Sequence, residues 1–192
     1  MPVNTGKILS GVLWQRGEAM NIISAGCNSI YSSEYSFRHK PEKNIYMLIL
    51  VKSSAVFHIA GMDYCTQPYT FVLYDDTDIW EYSADNDFFI CDWICFDKDN
   101  DNEFFESLEL SFNRPIEFAD TDFISNIMRN IASEYYSLSS RRVKMIDTLM
   151  KTLFLKISDY SGRHDEAQQT VDPHYNALME LREKVYRNPQ MK

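Results

Sequence analysis

An α+β fold, in which an antiparallel β-barrel or jelly roll is followed by a pair of amphipathic helices, is predicted by three features of this sequence. From Tyr46 to Phe96 at least five short, aromatic-rich strand segments succeed one another at spacings near ten residues. No helical pattern of usable length separates them, so the crossovers that a parallel βαβ sheet requires have no place to form. Beyond residue 120 the apolar residues change period and recur in steps of three and four.

The chain has 192 residues, 45% of them hydrophobic and 24% charged, enough for one substantial core with an attached helical piece. Its longest apolar run, Ile45–Val51, is far too short to cross a bilayer. Residues 8–14 follow Lys7 like a secretory core, but they are short and interrupted by Ser10 and Gly11, so no signal peptide is expected. The formal net charge is −9, and because residues 172–192 carry one net positive charge, residues 1–171 carry −10. A body this acidic repels phosphate backbones, so DNA contact is expected only through residues beyond it.

Cysteines 27, 65, 91 and 95 have no Cys-x-x-Cys spacing. On a strand Cys91 and Cys95 lie roughly 13 Å apart, beyond the ~7 Å that a disulfide spans. Free thiols suit a reducing, cytoplasmic compartment.

In chain order, residues 1–20 are expected to form an arm across the body. Strands are expected over residues 21–29 and 31–38, the second with Tyr31, Tyr35 and Phe37 on one face. After a turn at Pro41, Ile45–Val51 is apolar without alternation, as a strand covered on both faces should be. Residues 55–60 and 62–67 pair as a hairpin across Gly61, and Pro68 interrupts the ladder. Strands over 70–74, 79–83 and 88–96 complete the set, with the polar turn Asp75-Asp76-Thr77-Asp78 between the first two.

Asp120 is placed to cap a helix whose stripe is Ile124, Ile127, Met128, Ile131 and Tyr135. A second helix, about 142–160, carries Val143, Ile146, Met150, Leu153 and Ile157 in alternating steps of three and four, the seam of a coiled coil. These five positions are the candidate dimer contacts, although the same seam serves equally to pack the helix on its own barrel. Leu149 and Phe154 widen the apolar face enough for both. Residues 162–171 are polar and aperiodic, hence a linker. Asp172-Pro173 then opens a third helix with apolar Tyr175, Leu178, Leu181, Val185 and Tyr186, stopped at Asn188-Pro189. Three units are therefore expected: a domain over 1–161, a linker over 162–171, and over 172–192 the first helix of a further domain.

That last segment, His174-Tyr-Asn-Ala-Leu-Met-Glu-Leu-Arg-Glu-Lys-Val-Tyr-Arg-Asn-Pro-Gln190, resembles the opening helix of the DNA-binding half of AraC-type transcriptional regulators. The preceding part is similar to that family's cupin-like effector and dimerisation domain. The likeness runs through Tyr46-Met-Leu-Ile-Leu-Val51, the hairpin at Gly61, Phe71-Val-Leu-Tyr74, Trp80-Glu-Tyr82 and Asp92-Trp-Ile-Cys-Phe96. It covers nearly the whole chain, without the helix-turn-helix units. Ser53 and Tyr69 stand where family members often have glycine, and no histidine stands near Trp80.

The resemblance implies a small-molecule effector, a sugar in several members, bound within the barrel by Arg38, Trp80, Tyr82 and Trp93, with Cys91 on the same strand face as Trp93. An aromatic face packs on the C–H face of a sugar or on any flat apolar ligand, and arginine adds a fork of donors. It also implies a homodimer, and DNA contact only through a C-terminal domain outside this chain.

No cofactor and no catalysis are expected. A metal-dependent cupin enzyme needs histidines converging on an ion, whereas His39, His58, His164 and His174 contain no His-x-His pair. Asp97-Lys-Asp99-Asn-Asp101 begins like a calcium loop but has Asn102 and Leu108 where glycine and glutamate are needed. No glycine lies between Gly61 and Gly162 to cradle a phosphate there. The competing expectation is a structural dimerisation module whose barrel is filled by its own aromatics.

Overall fold

The computed structural model describes residues 20–85, 87–97, 102–117 and 121–166. Within them the chain forms nine strands and three helices: β1 (Asn21–Tyr31), β2 (Ser36–His39), β3 (Ile45–Val51), β4 (Ala55–Ile59), β5 (Met62–Thr66), β6 (Thr70–Tyr74), β7 (Trp80–Ala84), β8 (Phe89–Asp97), α1 (Asn102–Glu106), β9 (Pro115–Glu117), α2 (Thr121–Tyr135) and α3 (Arg142–Glu166). The strands make two sheets, one of order β1-β8-β3-β6-β9 (sheet A) and one of order β2-β7-β4-β5 (sheet B). Every pairing is antiparallel. The architecture is a cupin-like sandwich followed by helices, the predicted α+β class.

Sheet A is covered on both faces. Met47, Ile49 and Val51 of β3 point toward sheet B, where they join Phe57, Ile59, Val72, Tyr74, Trp80, Tyr82 and Phe89 in an inner layer. Their neighbours Leu48 and Leu50 point the other way, with Phe71, Leu73, Ile94 and Phe96, and meet Ile124, Ile127, Met128 and Ile131 of α2 and Met150, Leu153, Phe154 and Ile157 of α3. Two covered faces explain why β3 is apolar throughout. The α2 stripe is the one that the spacing predicts.

The predicted dimer seam has another role. Ile146, Met150, Leu153 and Ile157 are only 6, 0, 0 and 1% exposed because they seat α3 on sheet A, and of the five only Val143, 49% exposed, faces outward. The chain uses these side chains for its own core. Solvent meets instead Met145, Thr148, Thr152 and Leu155 on the opposite side of the helix.

Other departures are local. The strand expected over 31–38 is broken by a turn in which Tyr35 N–H donates to the Ser32 carbonyl at 3.0 Å. Tyr31 thus ends β1, yet Tyr31, Tyr35 and Phe37 all pack on the inner layer as the alternation predicts. Strand β9 was not expected; its three residues pair with β6, too few to leave a periodic signal. Helix α3 continues through Gly162 to Glu166, into the stretch expected to be linker. The arm, the Asp120 cap, the acidic loop at 98–101 and the helix of residues 172–192 lie outside the described residues. The four cysteines are free thiols, and no helix among the described residues is long and apolar enough to cross a membrane.

The β4–β5 hairpin turns on Ala60 (φ 51°) and Gly61 (φ 77°). Positive φ at both central positions matches the right-handed twist of the strands. Tyr69 also has positive φ, 71°. A left-handed conformation costs a side-chain-bearing residue roughly 1–2 kcal/mol, and Tyr69 is 49% exposed. Tyr69→Gly is therefore expected to stabilise the chain by up to about 1 kcal/mol, after allowing for glycine's greater freedom in the unfolded state. Urea unfolding of the variant checks this; a lower midpoint would show that the tyrosine ring contributes more than its backbone costs.

Candidate functional site

The inner layer is built from rings. Phe57, Tyr74 and Phe89 are 0% exposed, and Trp80 and Tyr82 are 2 and 4% exposed. Tyr82 is stacked on Phe37 at 4.9 Å between centroids and on Phe89 at 5.3 Å. Ring pairs at such distances prefer a few fixed orientations, so the layer holds one arrangement better than an aliphatic core would. Tyr31 and Tyr35 stack at 4.0 Å, and Tyr35 lies 5.2 Å from Phe89. Tyr31, Tyr35, Phe37, Trp93 and Cys95 are only half-buried. Tyr31 lies on the edge strand of sheet A, Phe37 on the edge strand of sheet B, and Tyr35 in the turn joining them. The layer is thus closed at its centre and looser toward the β1/β2 edge.

Four of the five predicted ligand positions come together in this layer, and one does not. Trp80 and Tyr82 of β7 and Cys91 of β8 are buried in it, and Trp93 packs against it. Arg38 alternates with Phe37 along β2 and so projects from the outer face of sheet B. There its guanidinium pairs with Glu81 at 3.0 Å with a side chain 63% exposed, and such a pair contributes at most about 1 kcal/mol. The expectation for Arg38 came from the family resemblance; the alternation that places Phe37 on the inner layer places its neighbour on the surface.

The two tryptophans differ in kind. Trp80 donates its indole N–H to the Asp75 carbonyl at 2.8 Å, and Asp75 is itself held by Thr77 and Asn113. Trp80 is therefore a satisfied core residue. Trp93 Nε1 is buried without a hydrogen-bond partner. Its ring lies over β1 at Gly26, where an added Cβ would stand 2.6 Å from Nε1, 2.8 Å from Cε2 and 2.9 Å from Ser29 Oγ. Only glycine permits that approach. Gly26 and Ser29 were not among the predicted site residues; a glycine inside a strand, here beside a register shift between Gly26 and Ser29, is the signal that marks a close approach.

The two thiols of the inner layer are poor nucleophiles. Burial pushes Cys91 up to about 12, with nearby Asp92 adding to the effect, and burial likewise pushes Cys95 up to about 11. Both are protonated at neutral pH. Burial also raises Tyr35 and Tyr82, so the rings present hydroxyls and no charge. Among the described residues no group of three or more His, Cys, Asp or Glu side chains is placed to hold a metal ion.

The helix side of β8 carries an ion pair. Asp92, 0% exposed, accepts from Lys52 Nζ at 2.6 Å, from the Asn28 backbone N–H at 2.7 Å and from Ser125 Oγ of α2 at 2.8 Å. Lys52 also reaches Asn28 Oδ1 at 2.7 Å. Asn28 has a positive φ, 49°, in the irregular part of β1 that lies beside Gly26. One carboxylate thereby ties β1, the end of β3 and α2 to the strand whose next residue is Trp93.

No protein-family model matches the chain, and no curated protein matches it either. Among solved structures, ToxT K231A from Vibrio cholerae is 12% identical, with a TM-score of 0.49 over 69% of this chain and 55% of that one. The AraC-like transcriptional activator CuxR is 11% identical, with a TM-score of 0.40 over 62% of this chain and 48% of that one. The Cupin_2 domain of an XRE family transcriptional regulator from Enterobacter cloacae is 14% identical, with a TM-score of 0.31 over 34% of this chain and 73% of that one. The chain thus spans about half the length of ToxT and of CuxR.

Proposed function

We propose that this chain is the effector-sensing and dimerisation part of an AraC-type transcriptional regulator, binding a small molecule at the inner face of the sandwich. The observation that carries the reading is that sheet A is a wall shared by two compartments. On β8, Trp93 faces the inner layer, while its neighbours Asp92 and Ile94 face the helices. A molecule that moves the first needs no long relay to reach the second. It switches the protein only if it binds one helix arrangement better than the other. Motif order, from Tyr46-Met-Leu-Ile-Leu-Val51 to Asp92-Trp-Ile-Cys-Phe96, supports the same assignment.

Dimerisation in this reading uses the outer side of α3, where Met145 and Leu155 are 47 and 54% exposed, in place of the inward seam. DNA is contacted by a further domain, in keeping with the acidic charge of residues 1–171. The closed centre of the inner layer favours a second reading, a dimerisation module with no ligand.

Thermal unfolding against sugars, sugar phosphates, aromatic acids and amides, and divalent metals separates the two. A ligand at a hundred times its Kd adds about 2.7 kcal/mol, which raises Tm by roughly 5–10 °C in a chain this size. Hits confined to one chemical class are expected; a flat panel supports the ligand-free module.

A further inference from the structure

We propose that Trp93 is a sealed hydrogen-bond donor released by the effector, and that the effector is an uncharged, flat aromatic compound carrying an oxygen acceptor. This rests on the sensing reading above and names its ligand class.

The donor comes first. A buried N–H without a partner forfeits the hydrogen bond it would make in water, and Trp93 Nε1 is in that position although Trp80 in the same layer is satisfied. The indole is pressed onto Gly26 with Ser29 Oγ beside it. An acceptor reaches Nε1 when the ring tilts off Gly26, so a ligand oxygen recovers the missing hydrogen bond by drawing the indole away from β1. That ligand gains more from the tilted state than from the sealed one, which is the differential affinity a switch requires.

Ligand charge follows from where the ions are. Arg38 and Glu81 pair on the outer face of sheet B, Lys52 and Asp92 on the helix side of sheet A, and His58 and Asp63 on the β4–β5 hairpin. Exposed His39 borders the rings, 6.2 Å from Phe37 and 5.6 Å from Trp80. The side chains that pack together as the inner layer offer only apolar surface, tyrosine hydroxyls, indole N–H groups and thiols. An anion placed there would lose its hydration with no fixed cation to replace it. Flatness follows from the half-buried rings Tyr31, Tyr35 and Phe37 at the β1/β2 edge, whose existing stacks a planar guest can extend.

The test uses the full chain and three probes, 2-naphthamide, 2-naphthoate and a mixture of free sugars, followed by titration calorimetry and by tryptophan emission. The amide is expected to bind at least tenfold more tightly than the carboxylate of the same shape. Trp93→Phe keeps a ring and removes the N–H, and is expected to weaken amide binding about tenfold, the loss of one hydrogen bond. Gly26→Ala drives the indole out of its sealed position and is expected to bind the amide at least as tightly as the parent chain. Circular dichroism of both variants establishes that they are folded. Equal or tighter binding of naphthoate, a response to sugars alone, or an unchanged affinity in folded Trp93→Phe would overturn this proposal and leave effector sensing standing. Weaker binding by folded Gly26→Ala would overturn the release step. No response to any probe, sugars included, would overturn the sensing reading itself.

Discussion

Asp92→Ala is expected to destabilise the chain by about 3–5 kcal/mol, the usual result of removing one partner from a buried ion pair. The carboxylate has no solvent exposure and three kinds of partner: the Lys52 ammonium, the Asn28 backbone N–H and the Ser125 hydroxyl. Alanine leaves Lys52, 14% exposed, with Asn28 Oδ1 as its remaining neutral partner, and frees an irregular segment of β1. Ser125→Ala removes a single neutral donor and should cost about 1 kcal/mol. Urea unfolding of both variants measures the contrast. If Asp92→Ala lost no more than Ser125→Ala, the ion pair would contribute no more than one ordinary hydrogen bond, and the link from β8 to α2 would be weak.

Introducing glutamate at both Met150 and Leu153 should unfold the chain outright, not merely separate subunits. Truncating a buried Met or Leu to alanine costs about 2–5 kcal/mol, and a buried carboxylate adds its lost hydration. Two such sites at 0% exposure exceed much of the roughly 5–15 kcal/mol that holds a domain together. The expected outcome is the loss of a cooperative thermal transition. Met145→Glu with Leu155→Glu, on exposed positions, should stay within about 0.5 kcal/mol per site of the parent and, on the proposed outer-face contact, turn a dimeric parent chain into monomers by light scattering. A folded Met150/Leu153 variant would mean that α3 does not rest on sheet A, whereas a persistent dimer after the outward substitutions would place the contact elsewhere.

These contrasts mark what the sequence could and could not convey. Period and composition revealed the eight principal strand segments, the two long helices and the doubly covered β3, because burial writes itself directly into residue type. The side on which a seam is used is different in nature. Ile146, Met150, Leu153 and Ile157 satisfy the spacing of a coiled coil and of a helix lying on a sheet equally well, and only the presence of Leu48, Leu50 and Phe96 opposite them decides. Arg38 was singled out by the family resemblance, whereas the alternation that turns Phe37 inward already turns its neighbour outward, where Arg38 pairs with Glu81. Trp80 and Trp93 look equivalent as letters. Their difference lies in the Asp75 carbonyl, which reaches the first, and in a glycine on another strand, which lies under the second.

In sheet A the long strands β8 and β3 lie inside a covered wall with β1, longer still, along its edge, whereas sheet B ends in β2, four residues long, and in β5, whose residues are mostly exposed. Backbone hydrogen bonds sealed on both sides open only when the whole molecule does, while those of short outer strands fray on their own. Rigidity is therefore graded across the molecule, with the stiff plate under the helices and the pliable frame on the far side. Of the rings left half-covered at the β1/β2 edge, Phe37 stands on the pliable frame, Tyr35 in the turn that leads to it and Tyr31 at the rim of the plate. In the proposed sensor a guest therefore enters by fraying of β2 while the covered centre of the plate keeps its shape and passes on only the displacement of what is bolted to it.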